Sequence, residues 1–145
     1  MTTCYTTTLT NRFHVTNPKK FKKIMRACTG RDMIRIRKDC DPNGEPVFCF
    51  GVDGYFGGLK MPHEKHSEDG FEYFITALQH VLRPDDACII YHIGHEALHY
   101  GHEALHYIEG TATIITHDAV HYINLEDAAE SKAKEILDDP AWMSL

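Results

Sequence analysis

The chain predicts an α+β domain: an antiparallel sheet of about six strands with three helices, in the order β-α-β-β-α-β-β-β-α. Three observations predict it. Segments with strand character outnumber those with helical period. Turn signals at Asp41-Pro-Asn-Gly44 and at His117-Asp118 separate strand segments with no helix between them. The regular strand–helix alternation of a doubly wound parallel sheet is missing. At 145 residues and 43% hydrophobic content, the chain fits a single domain, 1–145, with a sizeable core.

The elements follow in order. Residues 4–15 alternate, so that Tyr5, Thr7, Leu9, Asn11, Phe13 and Val15 share one face of a threonine-rich strand. Asn17 suits the cap of a first helix and Pro18 its first position. That helix buries Phe21, Ile24, Met25 and Cys28 and turns Lys19, Lys20, Lys22, Lys23 and Arg26 outward, with Gly30 as its stop. Met33 to Lys38 and Pro46 to Val52 read as a hairpin that places Cys40 and Cys49 nearly opposite each other. Gly51 to Gly58 is a bent strand or loop carrying neither a P-loop nor a Rossmann pattern. Ser67 can cap a second helix with the apolar stripe Phe71, Phe74, Ile75, Leu78 and Leu82, ended by Arg83-Pro84. Ala87 to Ile93 is a continuous apolar run and reads as a central buried strand. Thr111 to Thr116 and Val120 to Ile123 complete the sheet. A last helix starts at Asn124, buries Leu125, Ala128, Ala129, Ile136 and Leu137, and stops at Asp138-Asp-Pro140, after which Trp142 packs the tail.

Charge is distributed unevenly. Residues 1–40 carry ten Lys/Arg against two acids, and residues 41–145 carry five against nineteen. Such polarity suits electrostatic steering toward a charged partner; the alternative is a solvated surface neutralised on folding. No run of about 18 apolar residues is present, so no membrane span is expected. The N-terminus lacks the basic and apolar regions of a secretory signal. Five cysteines with no Cys-x-x-Cys spacing read as reduced thiols, which predicts a cytoplasmic protein.

The most unusual stretch is Gly94 to Tyr107, where Gly-His-Glu-Ala-Leu-His-Tyr is written twice in succession. Each copy holds His-Glu-x-x-His, the pattern of zinc peptidases, which place both histidines on one helical face and use the glutamate to activate water. The longer metzincin pattern fails, because His102 and Leu105 stand where its glycine and third histidine belong. A glycine before each His-Glu and strand-like flanks also oppose a catalytic helix. Reversal at Tyr100-Gly101 would instead set His99 opposite His102, His95 opposite His106 and Ile93 opposite Ile108. Opposed side chains lie about 5 Å apart, so His95, His99, His102 and His106 are candidate ligands of a non-catalytic Zn²⁺ site. The third reading is a seven-residue duplication tolerated as a protruding loop, bulge or helical turn.

Tyr5-Thr-Thr-Thr-Leu-Thr-Asn-Arg-Phe-His-Val-Thr-Asn-Pro18, together with Tyr107 to Leu125 and a helix ending Leu137-Asp-Asp-Pro140, carries a resemblance. These segments look like a family of small, usually acidic proteins encoded on phages and mobile elements of Gram-positive bacteria, and the likeness spans most of the chain. Members of such gene neighbourhoods are often inhibitors of host defence, including anti-CRISPR proteins, and the resemblance implies that role. The doubled heptad and the basic first helix depart from the pattern, and both departures bear on any shared binding surface.

The expected function is a non-enzymatic inhibitor that binds a host nuclease or CRISPR effector in the bacterial cytoplasm. Glu64, Glu68, Asp69, Glu72, Asp85 and Asp86 are its candidate partner-binding residues, since carboxylates can compete with phosphates for a basic channel. One alternative is a zinc-dependent hydrolase using Glu96 or Glu103. Another is direct nucleic-acid binding through Lys19, Lys20, Lys22, Lys23 and Arg26, which lack the interleaved aromatics of single-strand readers.

Overall fold

The computed structural model describes residues 2–62, 69–98 and 108–137. In chain order these form β1 (Thr2–Thr10), α1 (Pro18–Arg26), β2 (Arg35–Cys40), β3 (Pro46–Asp53), α2 (Asp69–Val81), β4 (Ala87–Leu98), β5 (Ile108–Thr116), β6 (Val120–Asn124) and α3 (Leu125–Leu137). The strands make one antiparallel sheet in the order β2-β3-β1-β4-β5-β6. The fold class, the strand and helix counts and the element order are those the sequence predicts. β1 joins two sequence-local units, the β2–β3 hairpin and the β4–β5–β6 meander, by pairing with β3 on one side and β4 on the other. No helix among the described residues is long and apolar enough to cross a membrane.

Local sequence explains α1 well. Asn17 caps it by accepting a hydrogen bond from the Lys20 amide at 3.1 Å, and Pro18 begins it without a donor to satisfy. Phe21, Ile24, Met25 and Cys28 turn inward as the spacing requires. The inner face of α2 contributes Phe74, Ile75, Leu78 and Val81 to the same core. Both helices cover one side of the sheet, where Phe48, Phe50, Cys88, Ile90 and Ile115 point. All seven phenylalanines gather there, six buried and Phe71 partly so. Their rings meet edge to face, as between Phe56 and Phe74 with centroids 4.7 Å apart. Each fully buried ring contributes about 1.5–3 kcal/mol by leaving water.

Four expectations need correction. In β1, Tyr5 and Leu9 face solvent while Thr8 is fully buried. The Thr8 hydroxyl donates to the Gly54 carbonyl at 2.8 Å, and the Thr10 hydroxyl accepts from the Phe50 amide at 3.0 Å, so threonines can face the core without stranded polar atoms. Alternation then changes phase at Asn11, whose side chain bonds the backbone of Ala87 and Ile89 and substitutes for the ladder. Beyond it Phe13 can turn inward. β4 is likewise buried on one side alone: Cys88 and Ile90 are enclosed, whereas Tyr91 and Ile93 are exposed. In α3 the Asn124 cap forms, bonding the Asp127 amide at 3.2 Å, yet no residue of the helix is buried, and Leu125, Ile136 and Leu137 stay exposed. Cys40 pairs with Pro46 and Cys49 with Arg37, so those thiols do not face each other. Trp142 and Ser67 lie outside the described residues.

Candidate functional site

The first heptad enters the sheet as a strand. Its His95, Glu96, Ala97 and Leu98 pair with Tyr5, Cys4, Thr3 and Thr2 of β1. This extended backbone differs from the helix on which His-Glu-x-x-His chemistry is built. His99, His102 and His106 lie outside the described residues, as does Glu103. The expected register is displaced by two: Ile93 faces Gly110 rather than Ile108, and His95 faces Ile108 rather than His106. A shift of two leaves every side chain on its original face, so hydrophobic pattern cannot distinguish the registers. A Cβ on Gly110 would come within 2.9 Å of Leu125, so the glycine gives α3 room against the sheet.

On the side away from α1 and α2, α3 lies over one end of the sheet and no other described element covers it. Tyr5 and Leu9 of β1, Tyr91 and Ile93 of β4, and Ile123 of β6 are all more than one third exposed. Ile89, Ala112 and Ile114 extend the same face, and Leu125 with Ala128 of α3 walls one end of a groove of about 380 Å³. Toward β2 the face becomes charged, with Arg35, Arg37 and Asp53 beside Leu9, Cys49 and Gly51 and with Arg37 paired to Asp39 at 3.2 Å. A contiguous apolar surface with tyrosines at its centre and arginines at its rim has the composition of a protein-recognition surface.

A second constellation ties three connections together at one end of the fold. His14 follows Phe13, which bridges to Phe48, and precedes Val15, which bridges to Leu82. Its Nδ1 lies 2.7 Å from Asp86 Oδ2, and its Nε2 lies 2.7 Å from Asp41 Oδ2. The His14 amide donates to the same Asp86 oxygen. Asp41 is itself fixed by its turn, accepting from the Asn43 and Glu45 amides at 2.8 and 2.9 Å. Glu45 approaches His14 at 3.9 Å and is held by Arg83, which also grips Asp85 at 2.8 Å. Hydrogen bonds donated to Asp41 and then to Asp86 raise the His14 pKa, and the bond accepted from His14 lowers that of Asp41. Ligand atoms of His14, Asp41 and Glu45 all fall within 4.8 Å, close enough to share a cation. With a carboxylate on each ring nitrogen, however, the imidazole is set up as a doubly donating imidazolium. The positive charges of His14 and Arg83 each bridge two carboxylates, Asp41 and Asp86 for His14 and Glu45 and Asp85 for Arg83, and the group works as a clasp.

Of the candidate partner-binding acids, Asp85 and Asp86 are therefore engaged internally, by Arg83 and by His14. Asp69 and Glu72 stand in the first turn of α2, and Glu64 and Glu68 lie outside the described residues. Sequence reading missed the clasp because its members stand 27 and 72 residues from His14. It missed the open face because the period of β4 is masked by apolar residues on both sides. Comparison with known proteins brings no match: no family model, curated protein or solved structure resembles the chain.

Proposed function

We propose that this chain is a non-enzymatic binding protein, of the mobile-element inhibitor type its sequence resembles, that docks on a nucleic-acid-handling protein of the host. The observation that carries the reading is the outer sheet face, where, among the described residues, Tyr5, Leu9, Tyr91, Ile93 and Ile123 stay exposed although the same strands bury their other side. An apolar surface of this kind is costly to leave in water and gains when a partner covers it. Tyr91 and Ile93 serve as the central anchors, and Arg35 and Arg37 orient the partner at the rim. The extended backbone of His95 to Leu98 speaks against hydrolysis through Glu96, which needs those residues in a helix; Glu103 lies outside the described residues.

The test is retention of a CRISPR effector complex by the immobilised protein, compared with Tyr91→Glu and Ile93→Asp variants. Retention by the wild type and loss in both variants, with unchanged thermal melting, supports the assignment. Equal retention by all three moves the contact elsewhere and sinks it. Self-association that Ile93→Asp abolishes, without effector retention, gives the face to a second copy of the chain instead.

A further inference from the structure

The outer surface of α1 poses a separate problem, on the side of the molecule opposite the open sheet face. Its nine residues include Lys19, Lys20, Lys22, Lys23 and Arg26 and no acid. At 100° per residue these five cations occupy one continuous sector, and Phe21, Ile24 and Met25 occupy the other. The arrangement works against the helix. Lys19 and Lys20 sit in the first turn, where the macrodipole favours negative charge. Lys19 with Lys23, and Lys22 with Arg26, are like-charged pairs at i, i+4, each destabilising by a few tenths of a kcal/mol. Among the described residues, no carboxylate forms an ion pair with any of the five. Asn17, Lys19, Lys20, Lys23, Ile24, Ala27 and Leu59 also line a shallow concavity of about 590 Å³, so part of the charge surrounds a depression rather than a bulge.

We propose that this face binds the phosphate backbone of a nucleic-acid duplex without reading sequence. Three features select that partner. Four of the five cations are lysines, which act as point charges suited to phosphate and are depleted from protein–protein interfaces. No aromatic side chain lies among them to stack on unpaired bases, which disfavours a single strand. A cationic stripe along one helix suits contact with successive phosphates, each contact releasing counterions. The overall charge of −6 does not prevent this, because screening over about 10 Å at moderate salt leaves the local sector to act alone.

The experiment is fluorescence anisotropy with a labelled random-sequence DNA duplex and the full chain, across increasing salt. With three or more phosphate contacts, affinity should fall on the order of thirtyfold between about 50 and 150 mM salt. The double variant Lys19→Glu/Lys23→Glu should bind at least about tenfold more weakly. The change at Lys19 puts an acid in the first turn, where the helix dipole favours it, and that at Lys23 falls in the last turn, so thermal melts of each variant are run beside the binding curves to show that the fold is kept. Lys22→Glu/Arg26→Glu should behave alike, and Lys132→Glu/Lys134→Glu on α3 should bind as the wild type does. No binding of the wild type at the lowest salt overturns the proposal, as does equal weakening by the α3 variant. Polyglutamate competing as well as duplex at matched charge assigns the face to an acidic protein and also overturns it.

Discussion

The Nδ1 of His14 lies 2.7 Å from the Oδ2 of Asp86, across 72 residues of chain, and thereby locks the β1–α1 connection to the α2–β4 turn. The opposite ring nitrogen holds Asp41 in the β2–β3 turn. One imidazolium thus joins three segments that share no local sequence.

The first prediction concerns pH. The raised pKa of His14 means that its contribution is complete below its ordinary value of about 6.5 and is lost as pH rises through the folded-state value. The lowered pKa of Asp41 sets the acid side: its contribution is present above the ordinary carboxylate value and is lost as pH falls through the depressed one. Groups facing the imidazole are Asp41 and Glu45 from one turn and Arg83, Asp85 and Asp86 from the other. His14→Gln should lower the melting temperature by a few degrees at mildly acidic pH, with the gap to wild type closing in alkaline buffer. A gap independent of pH would remove the clasp's charge from the account.

His92 titrates in the opposite sense. Burial lowers its pKa, the rings of Tyr55 and Phe71 flank it at 6.0 Å, and its buried Nε2 has no hydrogen-bond partner among the described residues. Its neutral form supports folding above about pH 6.5, and that support is lost as pH falls through the depressed value. Replacing it with phenylalanine should flatten the acid side of the stability profile in thermal melts. An unchanged acid limb would show that His92 is not the group responsible.

Neighbouring positions of β4 should respond very differently. Ile90 is fully buried and Ile93 is 55% exposed. Ile90→Ala should cost about 2–5 kcal/mol in chemical denaturation, whereas Ile93→Ala should cost well under about 1 kcal/mol. Comparable losses would mean that the open face is covered in solution.

Gly58 and Gly70 form the tightest backbone approach. A Cβ on Gly70 would stand 2.4 Å from the Leu59 carbonyl oxygen, and one on Gly58, at φ 82°, equally close to the Gly70 oxygen. The Leu59 amide bonds that Gly70 oxygen at 3.0 Å. Gly70→Ala should therefore destabilise by about 2–4 kcal/mol and detach the start of α2. Hydrogen exchange at the Leu59 amide reads this directly; unaltered protection would refute it.

The last prediction uses the heptads. Twelve residues separate His95 from its partner Ile108, and removing one copy leaves five, still a normal hairpin connection. Deleting Gly101 to Tyr107 should keep the pairing of Ile90 with Thr113 and change stability by less than about 1 kcal/mol. A new pattern of cross-strand contacts in nuclear Overhauser spectra would count against it.

Much of this fold is legible in the sequence because it is local. Asn17-Pro18, the inward stripes of α1 and α2, the Asp41 turn and the Asn124 cap each follow from a few adjacent residues. What escapes is set by distant partners. Asn11 changes the phase of β1 by bonding the backbone of β4, so Tyr5 and Phe13 end on opposite sides despite matching parity. α3 carries a plausible apolar stripe, yet nothing local says that the sheet offers it an edge rather than a core. The His14 clasp requires three turns to be placed before any of its bonds exists.

The two-sided use of the central strands has an evolutionary corollary. Odd and even residues of β1 and β4 answer to different demands, one set to chain compaction and the other to whatever lies outside. Substitutions at Tyr5, Leu9, Tyr91 and Ile93 can therefore accumulate while Thr8, Cys88 and Ile90 stay fixed. A lineage could rewrite every second letter of these strands and keep the same scaffold.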